Sequence, residues 1–171
     1  MPPRYDVPKA APEPLRRVQL FVNSIDVHNG VEWLPDWLEA HGLAGAEERA
    51  RELREAVRAL VLANNGVPPD PGALEAVNRA AARVRPALDG ERRLRFRADG
   101  DALDRIVAVV LEAIVDGSWG RLKACRNCRW SFYDYSPNRS ATWCSMRLCG
   151  NRTKTRAYRR RRRAGRAGPG A

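Results

Sequence analysis

The stretch from Cys125 to Arg163, CRNCRWSFYDYSPNRSATWCSMRLCGNRTKTRAYRRRRR, holds all four cysteines of the 171-residue chain and most of its excess positive charge. Cys125 and Cys128 form a C-x2-C pair and Cys144 and Cys149 a C-x4-C pair, with fifteen residues between the pairs. Two close thiol pairs separated by a hairpin-length insert suit a tetrahedral thiolate site for Zn2+. The first pair predicts a tight knuckle. From it a hairpin is expected through Trp130-Ser131-Phe132-Tyr133, turning at Ser136-Pro137-Asn138 and returning along Ala141-Thr142-Trp143 to Cys144. Ser145 is the natural N-cap of a following helix, which leaves Cys144 just outside it and Cys149 in its early turns. Knuckle, hairpin and metal-ligated helix in that order make a treble-clef-like unit. Two disulfides, or four buried thiols, are the alternatives. The N-terminus carries no signal-peptide pattern, so the expected compartment is the reducing cytoplasm, which favours the metal. Four thiolates close the coordination sphere and leave no position for a catalytic water.

Charge is divided unevenly about this unit. Residues 1–120 carry 16 Lys+Arg against 19 Asp+Glu, a net of −3, whereas residues 121–171 carry 15 against one, Asp134, a net of +14. Such a cluster neutralises phosphates and predicts strongly salt-dependent binding of nucleic acid. A membrane surface is the competing partner, and it is disfavoured because the basic helix has no apolar face to insert. No apolar run approaches the roughly 18 residues that a spanning helix needs.

With Cys149 facing the metal, a rotation of about 100° per residue brings Arg147, Asn151, Lys154, Tyr158 and Arg162 together on the opposite face. Arginine and lysine there can pair with guanine and asparagine with adenine, if the helix enters a major groove. Arg159, Arg161 and Arg163 extend this surface to phosphates. Arg156 and Arg160 lie nearer the metal side, where packing on the hairpin aromatics competes with phosphate contact. For Asn151 and Arg152, bracing the knuckle through backbone carbonyls competes with contact to nucleic acid. Gly150 costs a helix about 1 kcal/mol against alanine, which points to a close backbone approach near the metal. Trp130, Phe132, Tyr133 and Trp143 are expected to form the finger's own small core, with stacking on unpaired bases as the alternative.

Upstream, the chain reads as mainly helical. Residues 1–13 are a proline-rich, disordered lead. Leu15–Ile25 has helical spacing, Asp26–Glu32 is a turn, and Pro35 opens a short helix that stops at Gly42. Ala46–Asn64 is the strongest helix of this half. The next starts at Pro69-Asp70-Pro71, with Leu74, Val77, Ala81 and Val84 as its stripe. Arg85–Leu88 is expected to pair with Arg93–Arg97 across an Asp89-Gly90 turn. A long helix follows over Ala102–Val115, apolar at 103, 106, 107, 110, 111 and 114. The expected organisation is a helical domain with one β-hairpin near 85–97 over 14–118, a finger over 119–163 and a flexible tail over 164–171, with Asp116-Gly117-Ser118 as the joint and only Trp119–Ala124 separating the two modules. Asn23 is either a hydrogen-bonded core amide or a contact to a bound effector. Trp33 and Trp37 are either core anchors or the walls of a ligand pocket.

The run Trp143–Arg161, WCSMRLCGNRTKTRAYRRR, resembles the CGNR zinc-finger family of bacterial transcription regulators, whose name is the tetrapeptide Cys149-Gly150-Asn151-Arg152. The resemblance extends to the upstream C-x2-C, the Phe132-Tyr133-Asp134 run, and Lys154-x-Arg156-x-Tyr158-Arg159. In that family a helical regulatory domain called ABATE precedes the finger. Leu20-Phe21-Val22-Asn23-Ser24 is similar to the Asp-Phe-Val-Asn-Thr pattern of ABATE, with Leu20 and Ser24 departing from it. What the resemblance implies is a stress-linked regulator of transcription.

The sequence has no phosphate-binding glycine loop, no nucleophile elbow and no paired metalloprotease histidines, so no enzyme is expected. The leading expectation is a zinc-dependent DNA-binding transcription regulator, cytoplasmic, with the helical domain sensing a small-molecule effector or forming a homodimer. Dimerisation is expected because one finger contacts few base pairs. An RNA-binding or ribosome-associated zinc module, and a four-thiolate redox switch with an acidic protein partner, are the alternatives.

Overall fold

A computed structural model describes residues 9–151 together with 153 and 155. Helix α1 is Leu15–Val22, and the two-residue strands β1 (Ile25–Asp26) and β2 (Val31–Glu32) pair behind it, before α2 (Leu34–Ala40), α3 (Glu47–Ala63) and α4 (Pro71–Ala81). Strands β3 (Val84–Leu88) and β4 (Leu94–Ala98), helix α5 (Ala102–Val115), a short 3-10 turn (Trp119–Arg121), strands β5 (Leu122–Ala124) and β6 (Ser131–Tyr133), and a helical turn (Met146–Gly150) complete the order. Among the described residues the protein is thus mainly helical, with three small antiparallel strand pairs. No helix among the described residues is long and apolar enough to cross a membrane.

Helix ends follow from local chemistry. Asp101 caps α5 by accepting hydrogen bonds from the Leu103 amide (2.8 Å) and the Asp104 amide (3.3 Å). Gly117, at φ +78°, turns the chain away at its far end. Asp70 caps α4 through the Ala73 amide at 2.7 Å, with Pro71 in the first helical position. The core joins α1, α3 and α5 through Val18, Phe21, Val22, Val57, Val61, Val107 and Val110, all fully buried.

Four expectations are corrected. Residues 25–32 form a hairpin rather than a simple turn, because the Asp26 carboxylate accepts from the amides of His28 (3.0 Å) and Asn29 (3.1 Å) and from Asn29 Nδ2 (2.7 Å), closing the loop between two strands. On α4, Ala73 and Val77 are buried while Leu74 is exposed; small Ala76, Ala80 and Ala81 flank the buried stripe, and α4 packs through them against α3 and α5. The β3–β4 pairing exists, yet its register, Val84↔Ala98 to Leu88↔Leu94, leaves residues 89–93 as the loop in place of a two-residue Asp-Gly turn. There the Asp89 carboxylate gathers the amides of Glu91 and Arg93 and the side chains of Arg93 and Arg95, which hold its carboxyl well below the usual range.

The fourth correction concerns the finger. β6 does not pair with 141–143. It pairs with β5, in the register Leu122↔Tyr133, Lys123↔Phe132 and Ala124↔Ser131. The C-x2-C knuckle itself reverses the chain, so the strands on either side of it become neighbours. Trp119–Ala124 is therefore more than a spacer between two modules: Trp119, Leu122, Ala124 and Tyr133 belong to the large helical core.

Candidate metal centre

Cys125 leaves β5 and enters a tight turn in which the Arg129 amide donates to Cys125 O (2.9 Å) and the Cys125 amide to Trp130 O (2.9 Å). Arg129 sits at φ +62°, the left-handed residue that lets four residues reverse the chain. The second pair arrives on a helical turn capped by Ser145, whose hydroxyl accepts from the Leu148 amide at 3.3 Å. Both the Cys149 amide (2.9 Å) and the Gly150 amide (3.0 Å) donate to Ser145 O, which draws Cys149 inward next to Cys144.

All four sulfurs lie within 4.8 Å of one another and all four cysteines are buried. The separations are 3.7 Å for Cys128–Cys144, 3.7 Å for Cys144–Cys149 and 3.6 Å for Cys149–Cys128. Sulfurs about 2.3 Å from one central ion in a tetrahedron lie about 3.8 Å apart, and disulfide sulfurs about 2 Å apart, so the spacing is that of a four-cysteine metal-binding site. Thiol hydrogen bonds from Cys128 and Cys144 converge on Cys125 and lower it, while the same contact with Cys125, aided by burial, pushes Cys128 up to about 11 and Cys144 higher still. A divalent cation removes that conflict by neutralising several thiolates at once. Within the knuckle, Asn127 Nδ2 is buried without a hydrogen-bond partner among the described residues.

The metal module is mounted on the helices by side-chain amides. Asn23 Nδ2 donates to Ser131 O (2.9 Å) while the Ser131 amide donates to Asn23 Oδ1 (2.8 Å), so one asparagine completes the free edge of β6. Gln19 Nε2 adds a bond to Ser131 O (3.1 Å). On the β5 side, Asn64 Nδ2 donates to Trp119 O (2.8 Å) and Leu122 O (2.9 Å), and Asn65 Nδ2 to Ala124 O (2.7 Å). Residues 9–13, expected as part of a disordered lead, are tied into the same junction: Lys9 O accepts from the Tyr133 amide (2.9 Å), Lys9 Nζ donates to Trp143 O (2.7 Å), and Ala11 is buried. Residues 1–8 lie outside the described residues.

Beneath the finger's loop, Asp134 is fully buried and accepts from Lys123 Nζ (3.0 Å), the Ser136 amide (2.9 Å), the Ser136 hydroxyl (2.6 Å) and the Ala141 amide (2.9 Å). Burial alone would raise its pKa, but the Ser136 hydroxyl and the Lys123 ammonium outweigh it and bring the carboxyl down to about 2. Asp134 is the one acid in residues 121–171, and that isolation was the signal by which the sequence could have marked it.

The sequence-predicted residues fall as follows. Arg147 and Asn151 are exposed, with Cys149 buried between them. Arg152, Lys154, Arg156, Tyr158, Arg159, Arg160, Arg162 and Arg163, and the tail 164–171, lie outside the described residues. Asn151, Thr153 and Thr155 are helical, and Thr153 Oγ1 donates to Cys149 O (2.9 Å). At Gly150 the close approach is to a side chain: a Cβ there would stand 2.8 Å from Met146 Sδ. Trp130 and Phe132 pack around the cysteines, with Trp143 and Trp33 against them, whereas Tyr133 joins the helical core. Asn23 is spent on Ser131. Trp37 packs on Phe21 (ring centroids 4.7 Å apart) and stacks on His41 (3.9 Å). Residues that sequence reasoning missed include Gln19, Asn64 and Asn65, for Asn64-Asn65-Gly66 reads locally as a helix stop. It also missed Arg126, Arg129 and Arg139, which are exposed on the knuckle and loop.

Two families match this chain in the order of its parts. The family described as "Putative stress-induced transcription regulator", ABATE, matches residues 16–117. The family described as "CGNR zinc finger" matches residues 121–162. No curated protein matches the chain. The ABATE match spans more than half of the sequence, and the cysteine tetrahedron falls wholly inside the finger match, so the chain belongs to the ABATE family and carries a CGNR zinc finger behind its helical part.

Proposed function

We propose that this protein is a zinc-dependent, DNA-binding regulator of transcription. Cys125, Cys128, Cys144 and Cys149 would hold the Zn2+; four thiolates at tetrahedral spacing suit a closed, structural site that supplies folding energy and orients the following helix. The observation that carries the nucleic-acid reading is the different fate of arginines in the two halves. Upstream, most arginines, those at 17, 49, 51, 54, 58, 79, 83, 85, 93 and 95, are paired with carboxylates, the exceptions among the described residues being Arg16, Arg92, Arg97 and Arg105. In the finger, Arg126, Arg129, Arg139 and Arg147 are exposed and have no carboxylate partner among the described residues, and the one local acid is taken by Lys123. Cations left free on a metal-stiffened surface are what a phosphate backbone requires.

In this reading the finger occupies about residues 119–163, with Arg147 and Asn151 leading a face that continues through Lys154 and the arginines beyond it. The helical part, about 14–118, serves as effector-sensing or dimerisation module, in the cytoplasm. The test is retention of zinc-loaded protein on random duplex DNA and on structured RNA across a salt series, followed by sequencing of what stays bound. A shared duplex motif, lost in Cys149→Ser and weakened in Arg147→Ala, supports the reading. Preference for RNA, or steep salt dependence with no enriched sequence, overturns DNA readout.

A further inference from the structure

A cavity of about 590 Å³ opens between α1, α2 and the start of α5, a size suited to a two- or three-ring molecule. Its walls are aromatic and aliphatic, with Trp33 and Trp37 facing it beside Leu20 and Ile106. Its charged groups are two arginines, Arg17 and Arg105, against one aspartate, Asp36. Arg105 has no carboxylate partner among the described residues; it donates only to Gly100 O (2.9 Å). Arg17 is held by Glu13 alone, at 3.4 Å and with both side chains well exposed. Flat apolar walls with under-committed guanidinium groups at the rim recognise a planar hydrophobic body that carries a carboxylate.

Trp33 also lies against the cysteine and aromatic cluster of the finger. Its amide donates to Ser24 O (2.7 Å), and the adjoining Asn23 is the residue that pairs with Ser131. The same indole therefore forms part of the cavity wall and part of the packing around the metal-binding thiols. A ligand that binds one placement of Trp33 more tightly than another shifts the indole toward that placement, and the shared indole is the route by which the shift reaches the packing around the cysteines.

We infer that this cavity is a binding site for an aromatic carboxylic acid, coupled through Trp33 to the metal-bearing finger. The inference deepens the effector-sensing part of the function proposed above, but its test needs no nucleic acid, so failure to bind DNA and failure of this site are separately visible. Titration calorimetry on the zinc-loaded full chain would use three probes that share one ring system: indole-3-acetate, indole-3-ethanol and tryptamine. The expected result is indole-3-acetate binding with a Kd below about 100 µM, weakened roughly tenfold for the uncharged probe, with no binding of the cation. Arg105→Gln, an exposed substitution that leaves the core intact, lowers indole-3-acetate affinity by about tenfold. Saturating indole-3-acetate also changes the rate at which zinc passes to a colorimetric chelator, and Trp33→Phe removes that change. Equal or tighter binding of tryptamine overturns the ligand class. No binding of any probe at 1 mM overturns the site. Binding with an unchanged zinc-transfer rate overturns the coupling.

Discussion

Asn23 on the end of α1 and Ser131 in β6 exchange two hydrogen bonds, 2.9 Å from Asn23 Nδ2 to Ser131 O and 2.8 Å from the Ser131 amide to Asn23 Oδ1. A side-chain amide has the donor and acceptor spacing of a peptide group, so it satisfies a strand edge where no third strand is present. The junction between helices and metal module is thus specified by hydrogen bonding as well as by packing.

Removing that pairing leaves the Ser131 amide and carbonyl buried, although Gln19 still reaches the carbonyl. Asn23→Ala is expected to cost about 2–3 kcal/mol, the desolvation of one donor and part of one acceptor. Asn23→Asp keeps the acceptor for the Ser131 amide but sets a carboxylate oxygen against Ser131 O, and should cost at least as much. Urea unfolding of the metal-loaded chain checks both, and an Asn23→Ala loss below about 0.5 kcal/mol would show that solvent replaces the bonds.

The buried Asp134 gives a pH dependence of known sign. Its folded pKa is depressed to about 2. The stabilisation is therefore complete above the unfolded value of about 4 and disappears as pH falls from about 4 toward about 2. At pH 7 that shift corresponds to about 2 kcal/mol, and Asp134→Asn should lose about this much. Comparing the two chains at each pH cancels the acid protonation of the cysteines, which is common to both. The gap between them should close below pH 4; a gap that persists at pH 2 would assign the stability to the shape of the loop instead of to its charge.

Arg54 is 1% exposed and forks onto Glu32, with Nη2 to Oε2 at 2.9 Å, while Nη1 also donates to the Ser24 hydroxyl at 3.2 Å. Glu32→Gln strands a buried guanidinium with only Glu55 as a counter-charge, and about 2–3 kcal/mol is expected, below the usual range for breaking a buried pair because the Glu32 side chain is 30% exposed. Arg54→Met should cost less, since Glu32 can turn to water and to Arg51. Thermal unfolding of the two variants decides the order, and the reverse order would mean that the guanidinium acts chiefly through its bonds to the Ser24 hydroxyl and Glu55, which Glu32→Gln leaves in place.

Chelation should act locally. Trp130 and Phe132 pack on the cysteines, whereas Leu122, Ala124 and Tyr133 pack on the helical core. Removing the metal is expected to abolish the near-ultraviolet signal of Trp130 and Trp143 while most far-ultraviolet helix signal persists. One metal ion per chain should be released, and Cys149→Ser should bind none tightly. Loss of the whole helix signal on chelation would show that the helices depend on the finger for their stability.

Much of this arrangement could be read locally. Helix α5 begins and ends where its apolar spacing, the Asp101 cap and Gly117 place it, because each signal acts within a few residues. The same holds for the thiol pairs, since a knuckle and a helix cap are local structures. Readings that crossed the chain fared differently. The local pattern points to the returning segment 141–143 as the partner of β6, whereas β5 takes that place, because the knuckle turns more tightly than the loop over 134–141, which Asp134 closes by itself.

By itself the sequence determined that four thiols would gather, that the basic charge would lie with them, and that an amphipathic helical unit would come first. These follow from ligand spacing, charge and apolar period, which neighbouring residues carry. Only the tertiary structure decided what Asn23, Asn64, Asn65 and Trp33 do. An amide acquires a role from the unsatisfied backbone group brought to it, and Ser131 is 108 residues from Asn23 along the chain. Trp33 likewise became a shared wall because folding set the cavity on one side of its indole and the cysteine cluster on the other.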